Sequence, residues 1–536
     1  MITRREFGLS AVALANAAGA EMWDVCVYGG VPCGLAAAIA AAREGARVLL
    51  IEPTRHIGGL STSGINTAES EHMLHWTIGG IALDFYRRLG EHYGTGKAEF
   101  YFESSVAEKV YLAMLHEAGV TVRYGQRVEK AEKVNARLRS IALSDGSVVQ
   151  ARVFVDAGYE GDLMARAGVP AVSGRESRDE FGEEAAGVRL DKFVTQVSTV
   201  DAKGNLQPGI SAWARDLPLG SAHRGGMNYN FRLTFARDKS LQRPIPKPQK
   251  YDPARYALLE SWLSAKATAG EPVKLNEILD FYARRNGKFE INNKQAAIIS
   301  LGNLGGQFDY PEANYQRREA IVADHWDYTL GLLHFLATHP KVPGTLQAEM
   351  RSWGLHAGEF VDNGNLPYQL YVREARRMRG TYVMRQRDCT EDRRKPDTIG
   401  MSSHFIDSHH VQRVALSKTE FVNEGRIWRL GWAYQIPYRA LTPKASDCEN
   451  LLVPGAASFS HVAFCTYRLE SVWMIGGHAA GVAAAMAAKS GTEVQRVELP
   501  KLQAKLRAQK QVVDFVQGAP EKWSDPKGSS GGPPEI

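Results

Sequence analysis

The first fifty residues of the folded region carry the clearest pattern in the chain. An apolar run, Val25-Cys26-Val27, leads into Tyr28-Gly29-Gly30-Val31-Pro32-Cys33-Gly34, and an alanine-rich stretch follows from Leu35 to Arg43. A second apolar run, Val48-Leu49-Leu50-Ile51, ends on Glu52. The order predicts strand, glycine turn, helix, strand, acid, which is the arrangement that binds a dinucleotide. Gly29 permits the tight turn and Gly34 lets the helix pack closely on the sheet, while the helix N-terminus offers free N–H groups and a positive dipole end to a pyrophosphate. Glu52 stands where a carboxylate accepts hydrogen bonds from ribose hydroxyls, favouring FAD or NAD over NADP. Val31 departs from the glycine-rich consensus at its middle position. The loop Arg55-His56-Ile57-Gly58-Gly59-Leu60 offsets that departure, because a Gly-Gly pair after the second strand is typical of FAD enzymes of the glutathione-reductase type.

Further along, helical patterns run near Gly80–Tyr93 and Ser105–Glu117, and strand patterns over Val120–Tyr124 and Ser140–Leu143, with a turn at Asp145-Gly146. Arg152-Val153-Phe154-Val155-Asp156-Ala157-Gly158 reads as a buried strand ending in a glycine turn that returns beside the cofactor. Far downstream, Asn450-Leu451-Leu452-Val453-Pro454-Gly455-Ala456 repeats that pattern, and a small-residue helix is expected from Ser471 to Ser490. Its N-terminus suits the flavin pyrimidine ring, where negative charge develops on reduction. These elements predict an α/β protein: a split FAD-binding Rossmann-type domain, glutathione-reductase-like, with an inserted mixed α/β substrate domain. The boundaries read as 21–195 and 441–500 for the two parts of the FAD domain and 196–440 for the insertion. Residues 501–536 form a C-terminal helix and a disordered tail.

Composition narrows the function. The 536 residues carry 65 Lys and Arg against 59 Asp and Glu, a net charge of +6 spread along the chain, with 44% hydrophobic residues. No basic block interleaved with aromatics appears, so nucleic acid is not an expected partner. The five cysteines, Cys26, Cys33, Cys389, Cys448 and Cys465, show no CxxC and read as free thiols. No unbroken apolar run reaches 18 residues, so no integral membrane segment is expected. Residues 1–20 differ in character. Thr3-Arg4-Arg5-Glu6-Phe7-Gly8-Leu9 resembles the bacterial twin-arginine export motif, followed by a mild apolar segment and Ala18-Gly19-Ala20 as a cleavage site. Periplasmic or secreted location is the expectation, reached by a route that moves folded, cofactor-loaded proteins.

Several stretches together resemble a family of bacterial FAD-dependent oxidoreductases with the glutathione-reductase-type FAD fold. They are Tyr28–Gly34, Glu52–Gly59, Asp156-Ala157-Gly158-Tyr159-Glu160-Gly161-Asp162-Leu163, Tyr229-Asn230-Phe231-Arg232, Leu370–Met378, Asp407-Ser408-His409-His410-Val411-Gln412-Arg413, Asn450–Pro454, Ser460-His461-Val462-Ala463 and Arg468-Leu469-Glu470. The resemblance implies an FAD enzyme and places the cofactor on Gly29, Gly30, Val31, Pro32, Cys33, Gly34, Glu52, Pro53, Gly58, Gly59, Leu60 and Ser61. Val128, Ala157, Gly158, Asp162, Arg468, Glu470 and Ser471 complete that set.

A flavin carries out the redox chemistry, while protein supplies position, a base and electrostatics. Histidine suits proton transfer near neutral pH. His404, Asp407, His409 and His410 fall within seven residues and Arg413 lies three beyond. Asp407 can orient a histidine ring, His409 or His410 can act as base, and Arg413 or Arg468 can hold an anionic group. His461, before the flavin-facing helix, is the competing base. His56 is either a covalent flavin anchor or a loop residue near the ribityl chain. No metal is expected, because His404, Asp407 and His409 lack stereotyped ligand spacing. Arg373, Arg376 and Arg377 alternate with apolar residues at helical spacing and read as a solvated helix face. The aromatic segment Trp428, Trp432, Tyr434, Tyr438 is either core or a stacking surface. The reaction expected is oxidation of a small organic molecule, with a carbohydrate or polyol hydroxyl as one candidate, by hydride transfer to flavin. An amine or amino-acid oxidase, a reductase, and an electron-transfer or binding protein stand as alternatives. The electron acceptor is left open among oxygen, a quinone and a redox protein.

Overall fold

The computed structural model describes residues 21–428 and 431–522. The export-like segment 1–20 and the Pro/Gly/Ser-rich stretch 524–534 lie outside the described residues. Strand β1 (Met22–Tyr28) runs into helix α1 (Pro32–Arg43) and then strand β2 (Val48–Glu52). Pro32 at the first helical turn has no N–H to leave unsatisfied, and the alanines that follow are the best helix formers. Gly45, at φ +86°, ends the helix in the left-handed region, and β2 begins three residues later.

Strand β3 (Thr121–Tyr124), the hairpin β4 (Val128–Val134) and β5 (Arg137–Leu143), and β6 (Val148–Asp156) complete the first stretch of a seven-stranded sheet. Its order is β3-β2-β1-β6-β5-β4. β1, β2, β3 and β6 pair in parallel, whereas β5 joins β6 antiparallel. The far edge of β6 is shared. Its first residues pair with β5, and Phe154 and Val155 pair in parallel with Leu451 and Leu452. The chain therefore returns to the cofactor sheet almost three hundred residues after leaving it. Val25, Val27, Leu49 and Ile51 are fully buried, as parallel strands covered on both faces require. Helices Gly80–His92 and Ser104–Ala118 match the sequence patterns to within two residues at each end.

The helix Glu470–Ser490 packs along α1. By length and hydropathy it is apolar enough to cross a membrane, but 94% of its apolar window is buried inside the fold. It is a core helix built from small residues. Side chains at Gly477 and Gly481 would run into the carbonyls of Cys33 and Ala37, so the two helix backbones lie in direct contact.

Between these parts stand two larger sheets, with three two-stranded ones beside them among the described residues. A five-stranded antiparallel sheet orders Gln242–Arg243, Gly354–His356, Leu233–Ala236, Lys288–Asn293 and Leu279–Ala283. A four-stranded sheet orders Leu190–Gln196, Glu420–Glu424, Gln412–Ser417 and Ala212–Trp213. A 24-residue helix, Tyr315–Thr338, crosses back toward the cofactor sheet. One expectation fails here. The segment Tyr371–Met378 is not a solvated helix face: it is extended, Tyr371 bridges to Asn230, and Arg377-Met378 pairs with Ala171-Val172. Arg373 and Arg377 are 0% exposed. Charge alternation in a chain that buries both faces cannot be told from helical spacing until the partners of those charges are known. All five cysteines are free and buried.

Candidate active site

The cleft beside α1 follows from the turn chemistry. Gly29 adopts φ +98°, and a Cβ there would lie 2.7 Å from the amide nitrogen of Gly158, so the first turn rests on the turn after β6. A Cβ on Gly34 would collide with the Gly29 carbonyl. The N-cap residue of α1 is Val31, whose side chain accepts nothing, and the first turn keeps its N–H groups for an outside acceptor. Glu52 holds the loop edges together: its carboxylate accepts from the Gly30 amide and from the Thr54 amide, both at 2.7 Å. Burial pushes its pKa up to about 7. The Gly58 amide donates to the Gly30 carbonyl at 2.8 Å, docking the Gly58-Gly59 loop on the turn. From that loop a chain of bonds leads inward. The Leu60 amide donates to the Tyr159 hydroxyl at 3.0 Å, and Tyr159 donates to Glu470 Oε1 at 2.7 Å. Glu470 Oε2 and Ser61 Oγ are buried without partners. Burial lifts the Glu470 carboxyl to about 8.

A cavity of about 400 Å³ opens above this turn. Gly29, Val31, Glu52, Pro53, Gly158 and Asp162 line it. Its opposite wall was invisible in the sequence: Arg318, Val322 and Trp326 of the helix Tyr315–Thr338, with Leu370 and Val372. Asp162 is fixed there by Arg318 at 2.8 Å and Arg376 at 3.0 Å, and Tyr315 donates to the Val128 carbonyl at 2.8 Å. A glycine turn, an uncapped helix N-terminus and a strand-end carboxylate facing one cavity fit a dinucleotide.

A second cavity, about 230 Å³, is polar. The segment 370–373 connects the two. Leu370 and Val372 line the first cavity, whereas the Tyr371 hydroxyl donates to Glu69 Oε1 at 2.7 Å, and Glu69 lines the second. The Val372 amide donates to the Leu370 carbonyl at 2.9 Å, a three-residue turn centred on Tyr371, so one short segment serves both. Around Tyr371 stand three arginines. Arg468 donates to its hydroxyl at 2.7 Å and to Asp407 Oδ2 at 3.1 Å. Arg232 pairs with Glu290 and lies 3.8 Å from Glu69. Arg373 bonds only neutral oxygens, the Asn228 carbonyl and Asn230 Oδ1, each at 2.5 Å. Burial, with the positive charges of Arg468 and Arg232 nearby, lowers the pKa of Arg373 to about 10. Although burial opposes it, the carboxyl of Glu69 is held at about 2 by Arg468 and Arg232. Ala68 and Glu69 both have positive φ, 47° and 56°, a strained backbone that aims the carboxylate inward.

Asp407 and His409 line this cavity, with the His409 Nε2 3.4 Å from Asp407 Oδ2. Burial is the largest influence on each. It drives His409 down to about 3, helped by the nearby Arg373, so the ring is neutral. For Asp407 it is outweighed by His409 and Arg468, which hold the carboxyl far below the usual carboxylate range. Among the buried atoms without a partner on residues of this wall are His409 Nδ1, Asp407 Oδ1 and Arg232 Nε, with Glu71 Oε2 and Gln295 Oε1.

The model of the FAD dependent oxidoreductase family matches residues 24–506. The chain belongs to that family. This flavoenzyme has no match among curated proteins. Solved structures similar to it include a geranylgeranyl bacteriochlorophyll reductase-like protein from Thermoplasma acidophilum, 12% identical, covering 92% of this chain and 85% of that one at TM-score 0.36. THI4 from Thermovibrio ammonificans is 21% identical over 34% of this chain and 79% of that one, TM-score 0.22. The p-nitrophenol 4-monooxygenase PnpA from Pseudomonas putida DLL-E4 is 15% identical over 35% and 51%, TM-score 0.22. As a family member the protein is an FAD-dependent oxidoreductase.

The remaining ionisable residues of the flavoenzyme separate by their partners. His410 pairs with Asp191 at 3.0 Å and is absent from the lining of either cavity. Arg413 donates to the carbonyls of Ile298 and Gly209 and ties the inserted sheets together. His404 Nδ1–H donates to the Phe405 carbonyl at 2.8 Å, and the residue likewise lines neither cavity. His56 is spent on Glu108 and Asp362, with its ring stacked on Tyr368. The rival base, His461, is locked in a buried ion network. Its Nδ1 is 2.8 Å from Glu374 Oε2, its amide donates to Glu176, and Arg377 bridges both carboxylates. Glu374 raises the imidazole to about 10 against the penalty of burial, so His461 is a cation with no free lone pair. Ser471 bonds Tyr86 and the Ala68 carbonyl and so braces the strained turn that carries Glu69. The aromatic segment divides: Trp428 lines the polar cavity, while Tyr434 and Tyr438 are core. Sequence reading missed Arg232, Arg373, Tyr371 and Glu69 as a unit. Three of them lie in stretches that match the family, which was the available signal.

The imidazolium of His461 has a folded pKa above its unfolded value, so its stabilisation is complete below about 6.5 and fades as pH rises through about 10. His461→Gln removes one of the two cations that hold the buried Glu374, leaving it to Arg377 alone. The expected loss is about 3–5 kcal/mol near pH 6. In chemical denaturation the gap between wild type and variant should narrow as pH rises from about 6.5 to about 10; a gap constant across pH would show that His461 is folded as a neutral ring.

Proposed function

We propose that this enzyme is an exported flavoenzyme that oxidises a hydroxyl of a small polar organic molecule in the second cavity. FAD occupies the cleft of Gly29, Glu52 and Gly158, and His409 serves as proton acceptor. The observation that carries the reading is the unpartnered Nδ1 of a buried, neutral His409, on the wall of a polar cavity one short segment away from the dinucleotide cleft. With Nε2–H turned to Asp407, Nδ1 keeps a lone pair that no protein group uses. A substrate hydroxyl delivers its proton there, and the imidazolium that forms is held by the ionised Asp407, which has no need to take the proton itself. Bound FAD supplies the two-electron acceptor for the hydrogen leaving carbon. Tyr371 and Arg468 fix Glu69 and Asp407 and keep the wall rigid. A cavity lined by Asp407 and His409 favours substrate chemistry over a pure electron carrier, whose flavin edge would lie on a flat surface.

Glu52, Gly58 and Gly59 with the first turn form the cofactor site in this reading. Glu52→Lys should place a cation where ribose needs an acceptor and leave most purified protein colourless. Full FAD content in that variant would remove Glu52 from the site. His409→Gln should keep FAD and slow its reduction by substrate about 10²–10⁴-fold in stopped-flow absorbance, the usual worth of a general base. An unchanged rate would assign proton transfer elsewhere.

Export rests on Thr3–Leu9 and on a cofactor that is loaded before transport. Replacing Arg4 and Arg5 together by lysine should hold flavin-loaded protein in the cytoplasmic fraction. Normal export of the double variant would exclude the twin-arginine route.

A further inference from the structure

Each unpartnered atom on the wall of the second cavity asks for a complementary group, because a buried polar group left alone costs free energy. Arg232 is 5% exposed, and its Nε–H, a donor without a partner, asks for an acceptor. Asp407 Oδ1, Glu71 Oε2 and Gln295 Oε1 are acceptors without donors, and all three residues line the cavity. One donor on a cation and three acceptors match one carboxylate and several hydroxyls. The floor agrees: Phe405 and Trp428, with ring centroids 4.2 Å apart, give an apolar surface against which the C–H face of a carbon chain can lie.

We infer that the second cavity selects a small polyhydroxylated carboxylate of the sugar-acid type, its carboxylate on Arg232 and its hydroxyls on Asp407, Glu71 and Gln295; this substrate class rests on the reading of that cavity as the substrate site.

Charge decides against the two nearest rivals. Arg373 is a buried guanidinium bonded only to neutral oxygens, and it acts on His409 at the cavity wall. A ligand anion offsets that charge; an amino-acid zwitterion brings an ammonium that does not, and a neutral polyol offers nothing to Arg232. The carboxylates that would repel an anion are largely spent. Glu69 is held by Tyr371, Arg232 and Arg468, and Asp280 by Lys294 at 2.8 Å. Asp407 is held through Oδ2 by Arg468, and Glu71 remains; the open oxygens of both accept hydroxyls in this reading. The anion also has a consequence for proton transfer. Arg373 is one cause of the weak basicity of His409, and an anion beside it makes His409 a better proton acceptor only when the correct ligand is bound.

The test titrates the FAD-loaded enzyme anaerobically with D-gluconate, the shorter L-threonate, D-glucitol and 2-amino-2-deoxy-D-gluconate, reading Kd from the flavin absorbance change. At least one of the two acids is expected to bind about 10- to 100-fold more tightly than glucitol, the worth of one charge-assisted hydrogen bond. Arg232→Gln should erase that difference while leaving glucitol affinity unchanged, and Arg232→Lys, which keeps the charge but lacks Nε, should recover part of it. FAD content and the thermal midpoint establish that each variant is folded; should Arg232→Gln fail that check, Glu71→Gln serves, weakening the acid through a lost hydroxyl contact. Glucitol or the amino acid binding as tightly as the acids overturns the inference, as does no response to either acid at about 10 mM, where even millimolar affinity fills most sites. His409→Gln separates the two readings. An acid that binds this variant and wild type alike but reduces the flavin of neither leaves the anion site standing and removes the oxidation. Flavin reduced by glucitol and silent to the acids does the reverse.

Discussion

Two helices separated by more than four hundred residues touch backbone to backbone, and the cofactor site depends on that contact. Gly477 and Gly481 face the carbonyls of Cys33 and Ala37, and no side chain fits at either position. The close approach sets α1, with its uncapped N-terminus, against the start of the helix Glu470–Ser490. It thereby brings Glu470 to Tyr159 and, through Leu60, to the Gly58-Gly59 loop. Arg468, two residues before the helix, reaches Tyr371 and Asp407 from the same anchorage. One packing constraint, made possible by small residues, positions parts of both cavities.

The second cavity is held by electrostatics rather than by apolar packing. Burying arginines and carboxylates together is costly unless each charge finds partners. Most do: Glu176 and Glu374 share Arg377 with His461, Glu290 serves both Arg232 and Arg284, and Glu424 takes Arg175 with two bonds. Open valences on Arg373, Arg232, Asp407 and His409 lie beside a backbone strained at Ala68 and Glu69. A buried polar atom without a protein partner beside a cavity is one that a ligand can complete.

How far the sequence reached can be judged residue by residue. The phosphate turn, Glu52, the Gly58-Gly59 loop, the strand into Gly158 and the late return at Leu451-Leu452 are local patterns, and each folded as read. The cluster Asp407–Arg413 was legible only as a density of ionisable groups. The structure turns Asp407 and His409 to the cavity, while His410 turns to Asp191 and Arg413, in the next strand, is held by the Ile298 and Gly209 carbonyls. The arginines of Tyr371–Met378 were misread as solvated, since an alternating charged pattern does not reveal whether its partners are water or buried carboxylates.

The sequence by itself determined the cofactor class, the Rossmann framework and its split, because glycine conformations, strand-end acids and apolar runs act within a few residues of where they stand. Only the tertiary structure decided which histidine is neutral and open to a cavity and which is a cation locked in place. His409 and His461 carry the same side chain. Arg373 and burial strip the proton from one, while Glu374 holds it on the other. Those neighbours come from segments remote along the chain, and no pattern of spacing records them.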